Sequence, residues 1–322
     1  MLAAYVSKPA PDDPLSALEV GDRPEPEATD GWTTVTVKAA SLNHHDVFSL
    51  RGVGLPEDRM PMILGCDAAG TDEHGNDVVV HAVLSDPSWQ GDETLDPKRS
   101  LLSERYQGTL AEQVLVPTRN VVPKPAELSF PEAACLATAW LTAYRMLFTK
   151  SGVRPGDTVL VQGASGGVAT ALISLASAAG IRVWATGRTE EKRALATELG
   201  AHATFESGAR LPERVDAVFE TVGEATWSHS LKSLKPGGRV IVSGSTSGAA
   251  PSADLQRVFF LQLSVIGSTM GTRDELVRLI QFCQTSGVRP RIDVELPLSD
   301  AHEGFGRMID GHTAGKIVFV LD

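Results

Sequence analysis

The chain has 322 residues, of which 42% are hydrophobic and 21% charged, so it is long enough for two domains and has the composition of a globular protein. A formal net charge of -11 argues against nucleic acid or an anionic membrane as a partner, because both are bound mainly through clustered Lys and Arg. Three widely spaced cysteines do not make a disulfide framework, and neither a signal-like N-terminus nor a run of about 18 apolar residues is found, so we expect a soluble cytoplasmic protein.

The first third of the chain is predicted to be mainly β-structure. Short runs at residues 32–39, 77–82 and 111–116 are typical of strands, and stretches rich in Gly, Pro and Asp separate them. A change follows at Ser129, which forms a capping box with Glu132 ahead of the apolar run ACLATAWLTAYRMLF. That run predicts a buried helix.

From residue 158 onward, strands and helices alternate. Apolar strands are predicted at 158–162, 182–186, 216–220, 239–244 and 263–268, with helices between them. Such alternation indicates a doubly wound parallel sheet covered on both faces, and hence an α/β protein. We expect a β-rich domain over residues 1–125, the doubly wound domain over 126–269, and a return to the first domain over 270–322.

The turn after the first of these parallel strands is rich in glycine, from Gly163 to Ala169. Because it follows a strand and opens a helix, the unpaired amides of the first helical turn and the positive end of the helix dipole face one point, which attracts a phosphate anion. In this context the motif predicts that a dinucleotide is bound, with Ala169 as a tolerated replacement for the last glycine. The predicted contacts are Ser165, Gly166, Gly167 and Val168.

The same residues also spell Gly163-x-Ser165-x-Gly167, the nucleophile elbow of α/β-hydrolases. A triad in the required chain order would combine Ser165 with Asp293 or Asp300 and with His302 or His312. A serine hydrolase is therefore an alternative. The β-rich segment ahead of the sheet, and the residues that end the second strand, favour the dinucleotide.

The end of the second parallel strand bears on the choice of cofactor. An NAD site carries a carboxylate about 20 residues after the first glycine, where it holds the ribose hydroxyls. Here Gly187 and Arg188 occupy that place, so that a small residue leaves room for a 2′-phosphate and a guanidinium binds it through a fork of donors. Lys192 either adds charge to this site or is solvated surface. NADPH is therefore the expected cofactor.

Further cofactor contacts are expected where other strands end, because ligands of open parallel sheets lie beyond the carboxyl ends of the strands. Ser243 and Gly244 end the fourth parallel strand, and Ser268 and Met270 follow the last one. We expect these four residues to contact the cofactor.

In their order and spacing, these segments resemble the medium-chain dehydrogenase/reductase superfamily, especially its zinc-free quinone oxidoreductase and enoyl reductase branch. The stretches that carry the resemblance are SLNHHDVFSLRG, PMILGCDAAG, GTLAEQVLVP, LTAYRML, QGASGGVA, EKRALATELGA, LKPGGRVIVSG, GSTMGTRDEL and GKIVFVL. The resemblance implies a GroES-like catalytic domain interrupted by a Rossmann NADP(H)-binding domain, in a homodimer.

Zinc-dependent members of this superfamily hold a catalytic zinc with a Cys, a His and a second Cys. Matched by position, this chain has Asn43, Cys66 and Thr138, with Asp67 where those members carry Glu. Only one of the three is a usual zinc ligand. The resemblance therefore implies no catalytic zinc, with a zinc-type alcohol dehydrogenase as the alternative.

The resemblance also places residues 43–46 beside the nicotinamide and the substrate. Asn43 is expected to hold the nicotinamide ribose or the substrate oxygen, and His45 to supply a proton from an imidazole whose pKa lies near the working pH. His44 and Asp46 complete the predicted catalytic set. The alternatives are that one histidine packs into the core, that Asp46 caps backbone amides, and that water delivers the proton.

Two more residues match positions near the cofactor in that superfamily. Thr142 lies on the apolar helix, where a bond from its hydroxyl to a carbonyl one turn back is the alternative. Lys316 begins the last strand, where a surface lysine is the alternative. The expected protein is an NADPH-dependent oxidoreductase that passes hydride to a small quinone, enone, alkenal or related carbonyl compound without zinc. A nucleotide sensor without catalytic activity is a further alternative.

Overall fold

The computed structural model describes residues 1–321 and divides into two compact units. The first unit comprises Met1–Leu141, Met270–Thr285 and the chain from Arg289 onward, and the second comprises Thr142–Thr269 and Ser286–Val288. Residues 126–141, which the sequence analysis assigned to the doubly wound domain, belong to the first unit by their contacts. The reason is that the short helix Phe130–Ala134 packs on the main sheet of that unit.

The first unit is built on antiparallel strands. Its strands are β1 (Leu2–Val6), β2 (Leu18–Asp22), β3 (Trp32–Ser41), β4 (Met62–Ile63), β5 (Asp67–Asp72), β6 (Asp77–Val80), β7 (Val83–Leu84), β8 (Ser100–Leu101), β9 (Gln113–Pro117) and β10 (Val121–Pro123), with β17 (Ile292–Pro297) and β18 (Lys316–Val320) returning from the C-terminal part. The main sheet has the order β10-β6-β5-β3-β18-β17, with β9 paired to β3. Its helices are α1 (His44–Leu50), α2 (Phe130–Ala134), α8 (Arg273–Ser286) and α9 (Ala301–Ile309).

The register of the main sheet brings three distant segments together. Ser41, at the end of β3, pairs with Asp67 at the start of β5 and with Val318 of β18 on the other side. The chain then leaves the sheet through Leu42, whose amide donates to Ile317 O at 2.9 Å, and enters α1 at His44. Residues 41–46, Asp67 and Lys316 therefore meet at one edge of this unit.

The second unit is a parallel sheet of six strands with the order β13-β12-β11-β14-β15-β16. Its strands are β11 (Thr158–Val161), β12 (Arg182–Gly187), β13 (Ala203–Glu206), β14 (Val215–Glu220), β15 (Leu234–Val242) and β16 (Ser264–Gly267), and its main helices are α4 (Gly167–Ala178), α5 (Glu190–Glu198), α6 (Glu224–Ser233) and α7 (Leu255–Phe260). The order reverses between β11 and β14, which is the switch point where such sheets bind ligands. The predicted doubly wound parallel sheet is confirmed.

The predicted long helix is regular only in part. The capping box is present, since Glu132 N donates to Ser129 Oγ and Ser129 N donates to Glu132 Oε2. Beyond α2 and α3 (Leu141–Tyr144), however, the stretches Leu136–Trp140 and Arg145–Lys150 have wider π-type turns. Such turns are frequent at functional sites.

Candidate functional site

The glycine-rich turn leaves the carboxyl end of β11 at the switch point of the parallel sheet. Gly163 has φ 80°, which favours glycine, and Gly166 is the residue before α4. Gly163 N donates to Thr186 Oγ1 at 3.2 Å, and that hydroxyl donates to Gln162 Oε1 at 2.7 Å, so the turn is fixed from below by β12. The amides of the first turn of α4 therefore point out of the sheet edge, as an anion site requires.

Two cations lie where β12 ends. Arg188 is exposed and follows Gly187 directly, and Lys192 is half-buried on the first turn of α5. Desolvation and then the positive charge of Arg188 lower the pKa of Lys192, so the two cations repel each other. Like charges placed together in this way favour an anion between them. The end of β12 carries no carboxylate, because Gly187 is its last residue.

The glycine at this position also has a packing role. A Cβ on Gly187 would lie 2.9 Å from Arg193 Cγ, so α5 approaches β12 closely only with glycine here. Arg193 donates to Gly187 O at 3.0 Å and lies within ion-pair distance of Glu190 and Glu206. It therefore holds α5 on the sheet, whereas Arg188 and Lys192 form the cationic corner.

The other predicted cofactor contacts lie in separate places. Ser243 and Gly244 follow β15 and Ser268 follows β16, at the same edge of the sheet as the glycine turn. The Oγ of Ser268 is buried and has no hydrogen-bond partner within residues 1–321. Thr142 is buried in α3, and Met270, with φ 49°, packs in the first unit beside Cys66. Their contacts to a cofactor stay predictions.

In the first unit, Asn43 belongs to a buried polar cluster with Ser41, Asp67 and Lys316. Asn43 Nδ2 donates to Asp67 Oδ2 at 2.9 Å and to Ser41 O at 3.3 Å, and Asn43 Oδ1 accepts from Lys316 Nζ at 2.7 Å. Both amide hydrogens are thus used, and only one acceptor lone pair is left. Asn43 is consequently able to accept one more hydrogen bond but has no donor for a substrate carbonyl oxygen.

Lys316 lies inside this cluster and is 2% exposed. Its ammonium donates to Leu42 O at 2.8 Å and to Asn43 Oδ1, and its third oxygen neighbour is Asp67 Oδ2 at 3.3 Å. The surface position that was the alternative for Lys316 is therefore wrong, because β18 pairs with strands on both sides. Contact between Lys316 and the cofactor stays a prediction. Such a contact would require the ammonium to break its interaction with one of these three oxygens.

Asp46 caps backbone amides, which was the alternative to its predicted catalytic role. Its carboxylate is fully buried, with Oδ2 accepting from Asn43 N and Oδ1 accepting from Gly65 N, both at 2.9 Å. Both oxygens are used to fix the start of α1 against the loop before β5. Asp46 therefore orders the segment that carries the histidines and does not offer a free carboxylate.

His45 lies between a carboxylate and a thiol. Its side chain is 24% exposed, with Nε2 at 3.3 Å from Glu104 Oε1 and Nδ1 at 3.5 Å from Cys66 Sγ. Glu104 is held in turn by Leu101 N, which donates to Oε2 at 2.9 Å. Glu104 was not predicted from the sequence, because no local pattern links it to His45, 59 positions earlier.

The environment separates the two neighbouring histidines. Burial alone lowers the pKa of His45, but contacts with Cys66, Asp46 and Glu104 outweigh it and hold that pKa well above its ordinary value. Burial raises the pKa of the Cys66 thiol, which donates to Leu102 O at 3.2 Å. Desolvation and then the charge of Lys316 lower the pKa of His44, although its side chain keeps solvent exposure. The charged imidazolium is therefore favoured at His45 and disfavoured at His44.

The residues at the positions of the zinc ligands do not fit a catalytic zinc. The Asn43 amide is committed to Lys316, Asp67 and Ser41, so a divalent cation there would face a buried ammonium. Within residues 1–321, one group of three potential metal-ligating side chains has its ligand atoms within 4.8 Å of one another. It consists of His45, Asp46 and Cys66. Both Asp46 oxygens already accept backbone amides and the Cys66 thiol donates to Leu102 O, so a metal ion bound by this group would have to displace the contacts that fix the start of α1.

Comparisons with known proteins agree with this architecture. Residues 29–126 match the model of the alcohol dehydrogenase GroES-like domain, and residues 167–285 match that of the zinc-binding dehydrogenase. The chain is 28% identical to an alcohol dehydrogenase of Geobacillus stearothermophilus, over 95% of this chain and 96% of that protein. It is also 28% identical to the human quinone oxidoreductase, over 92% and 91% of the two chains.

A solved structure named as an NAD-dependent alcohol dehydrogenase superposes on the chain with a TM-score of 0.92, at 33% identity and with 100% of both chains covered. These similarities leave no support for the serine hydrolase alternative at Ser165. In the part of the chain that the structure describes, no helix is both long and apolar enough to span a bilayer.

Proposed function

Because the chain belongs to the medium-chain dehydrogenase/reductase superfamily, we propose that it is an NADPH-dependent reductase that transfers hydride to a small quinone, enone, alkenal or related carbonyl compound without a catalytic zinc. The observation that carries the proposal is the cationic corner of Arg188 and Lys192, which lies at the same sheet edge as the glycine turn. A dinucleotide with an extra phosphate satisfies both features.

The preference for NADPH follows from the charges at the end of β12. A 2′-phosphate carries negative charge and three acceptor oxygens, which suit a guanidinium fork and a neighbouring ammonium. A ribose with a free 2′-hydroxyl is normally held by a carboxylate, and Gly187 supplies none. The solved relative named NAD-dependent makes this a point on which the two proteins would differ.

When bound, the reduced nicotinamide supplies a hydride, and the residues of the first unit handle the proton. We assign the proton to His45, because its contacts raise its pKa and so favour the charged imidazolium, and because a quarter of its side chain is exposed. Glu104 holds the ring by Nε2 and stabilises the charged form. Asn43 accepts a hydroxyl hydrogen bond, and Asp46 fixes the start of α1.

These residue roles suit hydride acceptors that need a proton but no metal ion. Hydride addition to a conjugated carbonyl or a quinone generates an oxyanion or enolate, which a nearby imidazolium neutralises. Within residues 1–321, the polar atoms of Asn43, Asp46 and Cys66 already bond to groups of the protein itself, which supports a reaction without a metal. Conjugated acceptors are therefore proposed as the substrate class.

We also propose that the protein is a homodimer assembled through the second unit. β16 is an edge strand of the parallel sheet, and α7 beside it in sequence has no buried residue. Leu255 (70%), Phe259 (69%), Phe260 (77%) and Val265 (49%) are all exposed large hydrophobic side chains. An unpaired edge next to such side chains is a liability in a monomer, and a second copy of the same edge covers it by two-fold symmetry.

The test is to follow NADPH oxidation with a panel of quinones, 2-alkenals, enones and simple ketones, with and without a zinc chelator. The proposal predicts turnover of conjugated acceptors that the chelator leaves unchanged. Activity restricted to simple ketones and abolished by the chelator would identify a zinc alcohol dehydrogenase instead. Binding of NADPH without oxidation by any acceptor would indicate a nucleotide sensor.

A further inference from the structure

The buried cluster around Lys316 is arranged as a cation site that the protein fills with its own side chain. The ammonium lies among Leu42 O, Asn43 Oδ1 and Asp67 Oδ2, at 2.8, 2.7 and 3.3 Å. Lys316 is 2% exposed and Asp67 is fully buried, so both charges are removed from water. Three oxygens around one ammonium use every N–H that a lysine has.

The positive charge of the Lys316 ammonium balances the negative charge of the Asp67 carboxylate. Ser41 Oγ donates to Asp67 Oδ2 at 2.7 Å, and the other carboxylate oxygen, Oδ1, is buried without a hydrogen-bond partner within residues 1–321. Cys135 is the nearby thiol, and burial raises its pKa to about 12, so it is neutral. His44 also senses the charge of Lys316, which lowers the pKa of that imidazole.

We propose that Lys316 is a positioning residue, whose ammonium orients the amide of Asn43 from inside the protein, as a bound cation would. With Oδ1 held by Nζ and both Nδ2 hydrogens held by Asp67 and Ser41 O, the amide has one orientation and is left with a single acceptor lone pair. Asn43 is also the residue before α1, so its fixed position sets the start of the helix that carries His45.

Stability does not by itself explain such an arrangement. A buried ion pair is often no more stable than apolar side chains of the same volume, whereas the loss of one partner is strongly destabilising. A second lysine of the first unit, Lys124, provides the contrast. Its side chain is 5% exposed and its ammonium donates to Pro125 O and Leu128 O, but its acidic neighbour Asp77 is half exposed and no side-chain amide is involved.

The experiment compares two double variants that each remove a lysine and its carboxylate partner together, Lys316→Met/Asp67→Asn and Lys124→Met/Asp77→Asn. Removing both charges avoids an unpaired buried ion, so both proteins are expected to fold, which thermal unfolding checks. The first readout needs no catalysis: the side-chain amide signal of Asn43 in ¹⁵N-asparagine-labelled protein, assigned by its loss in Asn43→Asp. The second is kcat and KM for the acceptor, with the Kd for NADPH measured separately.

We expect the Asn43 signal to move toward the position of a free amide in the Lys316 double variant and to stay in place in the Lys124 double variant. In the same protein, kcat should fall about tenfold or more while the Kd for NADPH stays within about twofold, because positioning and not cofactor binding is lost. An unchanged amide signal and an unchanged kcat in the folded Lys316 double variant would overturn the proposal.

The kinetic arm rests on the proposed function, and the spectroscopic arm does not. If the natural protein oxidises no NADPH with any acceptor, the proposed function fails, and the amide signal alone decides whether Lys316 orients Asn43. If the natural protein is active and the amide signal is unmoved, the inference about Lys316 fails while the proposed function stands.

Discussion

Replacing Glu104 by Gln should move the pH dependence of the reaction to lower pH. The substitution keeps the size of the side chain but removes the charge that faces His45 Nε2 at 3.3 Å. At that distance two unit charges interact by about 5 kcal/mol at an effective dielectric constant of about 20, and by about 1.3 kcal/mol in bulk water. Because the two side chains are 24% and 29% exposed, a value between these limits applies, about 1.5–3 kcal/mol.

A loss of that size lowers the pKa of His45 by about one to two pH units, since each unit corresponds to about 1.36 kcal/mol. The sign follows from the role of the group: the imidazolium is the active form of an acid, so activity falls as pH rises through its pKa. The descending limb of kcat against pH should therefore shift to lower pH in Glu104→Gln. An imidazole titration of His45 followed by NMR should show the same displacement.

Glu112→Gln provides the matched control for this experiment. Glu112 also accepts a backbone amide through Oε2, from Leu2 N at 2.8 Å, but within residues 1–321 it has no hydrogen bond or ion pair with a histidine. Its pH profile should superpose on that of the natural protein. A Glu104→Gln profile that also stays in place, or moves to higher pH, would refute the assignment of His45 as the acid held by Glu104.

Three further outcomes follow from the same structure. Phe260→Asp should convert the dimer to a monomer in light scattering, because it places a charge on the exposed apolar face of α7, whereas the control Leu95→Asp should leave the mass unchanged; a dimer in both would contradict this interface. His45→Gln should lower the free energy of unfolding most at acidic pH, because a raised pKa stabilises the fold below the unfolded value of about 6.5 and this contribution is lost as pH rises through the folded value; a deficit that grows with pH in urea titrations would contradict it. Leu160→Ala, at a fully buried position between β12 and β14, should cost about 2–5 kcal/mol in urea unfolding, and a cost near zero would contradict the assignment of this core.

The features that the sequence predicted are those with a local signature. The capping box at Ser129, the glycine turn and the apolar parallel strands each depend on neighbours within a few residues, and the structure has all of them. The strand β13 escaped prediction because it is short and its residues are only half-buried. The π-type turns at 136–140 and 145–150 contain no Gly or Pro that would mark them.

The candidate acid–base site could be predicted only in part, because its partners come from distant segments. Residues 43–46 were recognised as a polar set, but which of them is reactive depends on Glu104, which reaches His45 from another loop. Lys316 was predicted to lie near the cofactor, with a surface lysine as the alternative, and its burial follows from the pairing of β18 with β3 and β17. Asp46 was predicted to be catalytic, yet both of its oxygens cap backbone amides.

The proposed function depends most on the cationic corner at the end of β12, which we propose selects NADPH over NADH. Isothermal titration calorimetry with NADPH and NADH measures this preference directly on the natural protein, on Arg188→Asp, and on Arg214→Asp, which makes the same charge change just ahead of β14 at the opposite sheet edge. We expect Arg188→Asp to weaken the binding of NADPH by about 10- to 100-fold, which corresponds to the loss of a charged hydrogen bond, and to leave the binding of NADH nearly unchanged. Arg214→Asp should alter the binding of neither coenzyme. Equal weakening of both coenzymes by Arg188→Asp, or no heat with either coenzyme on the natural protein, would contradict the proposal.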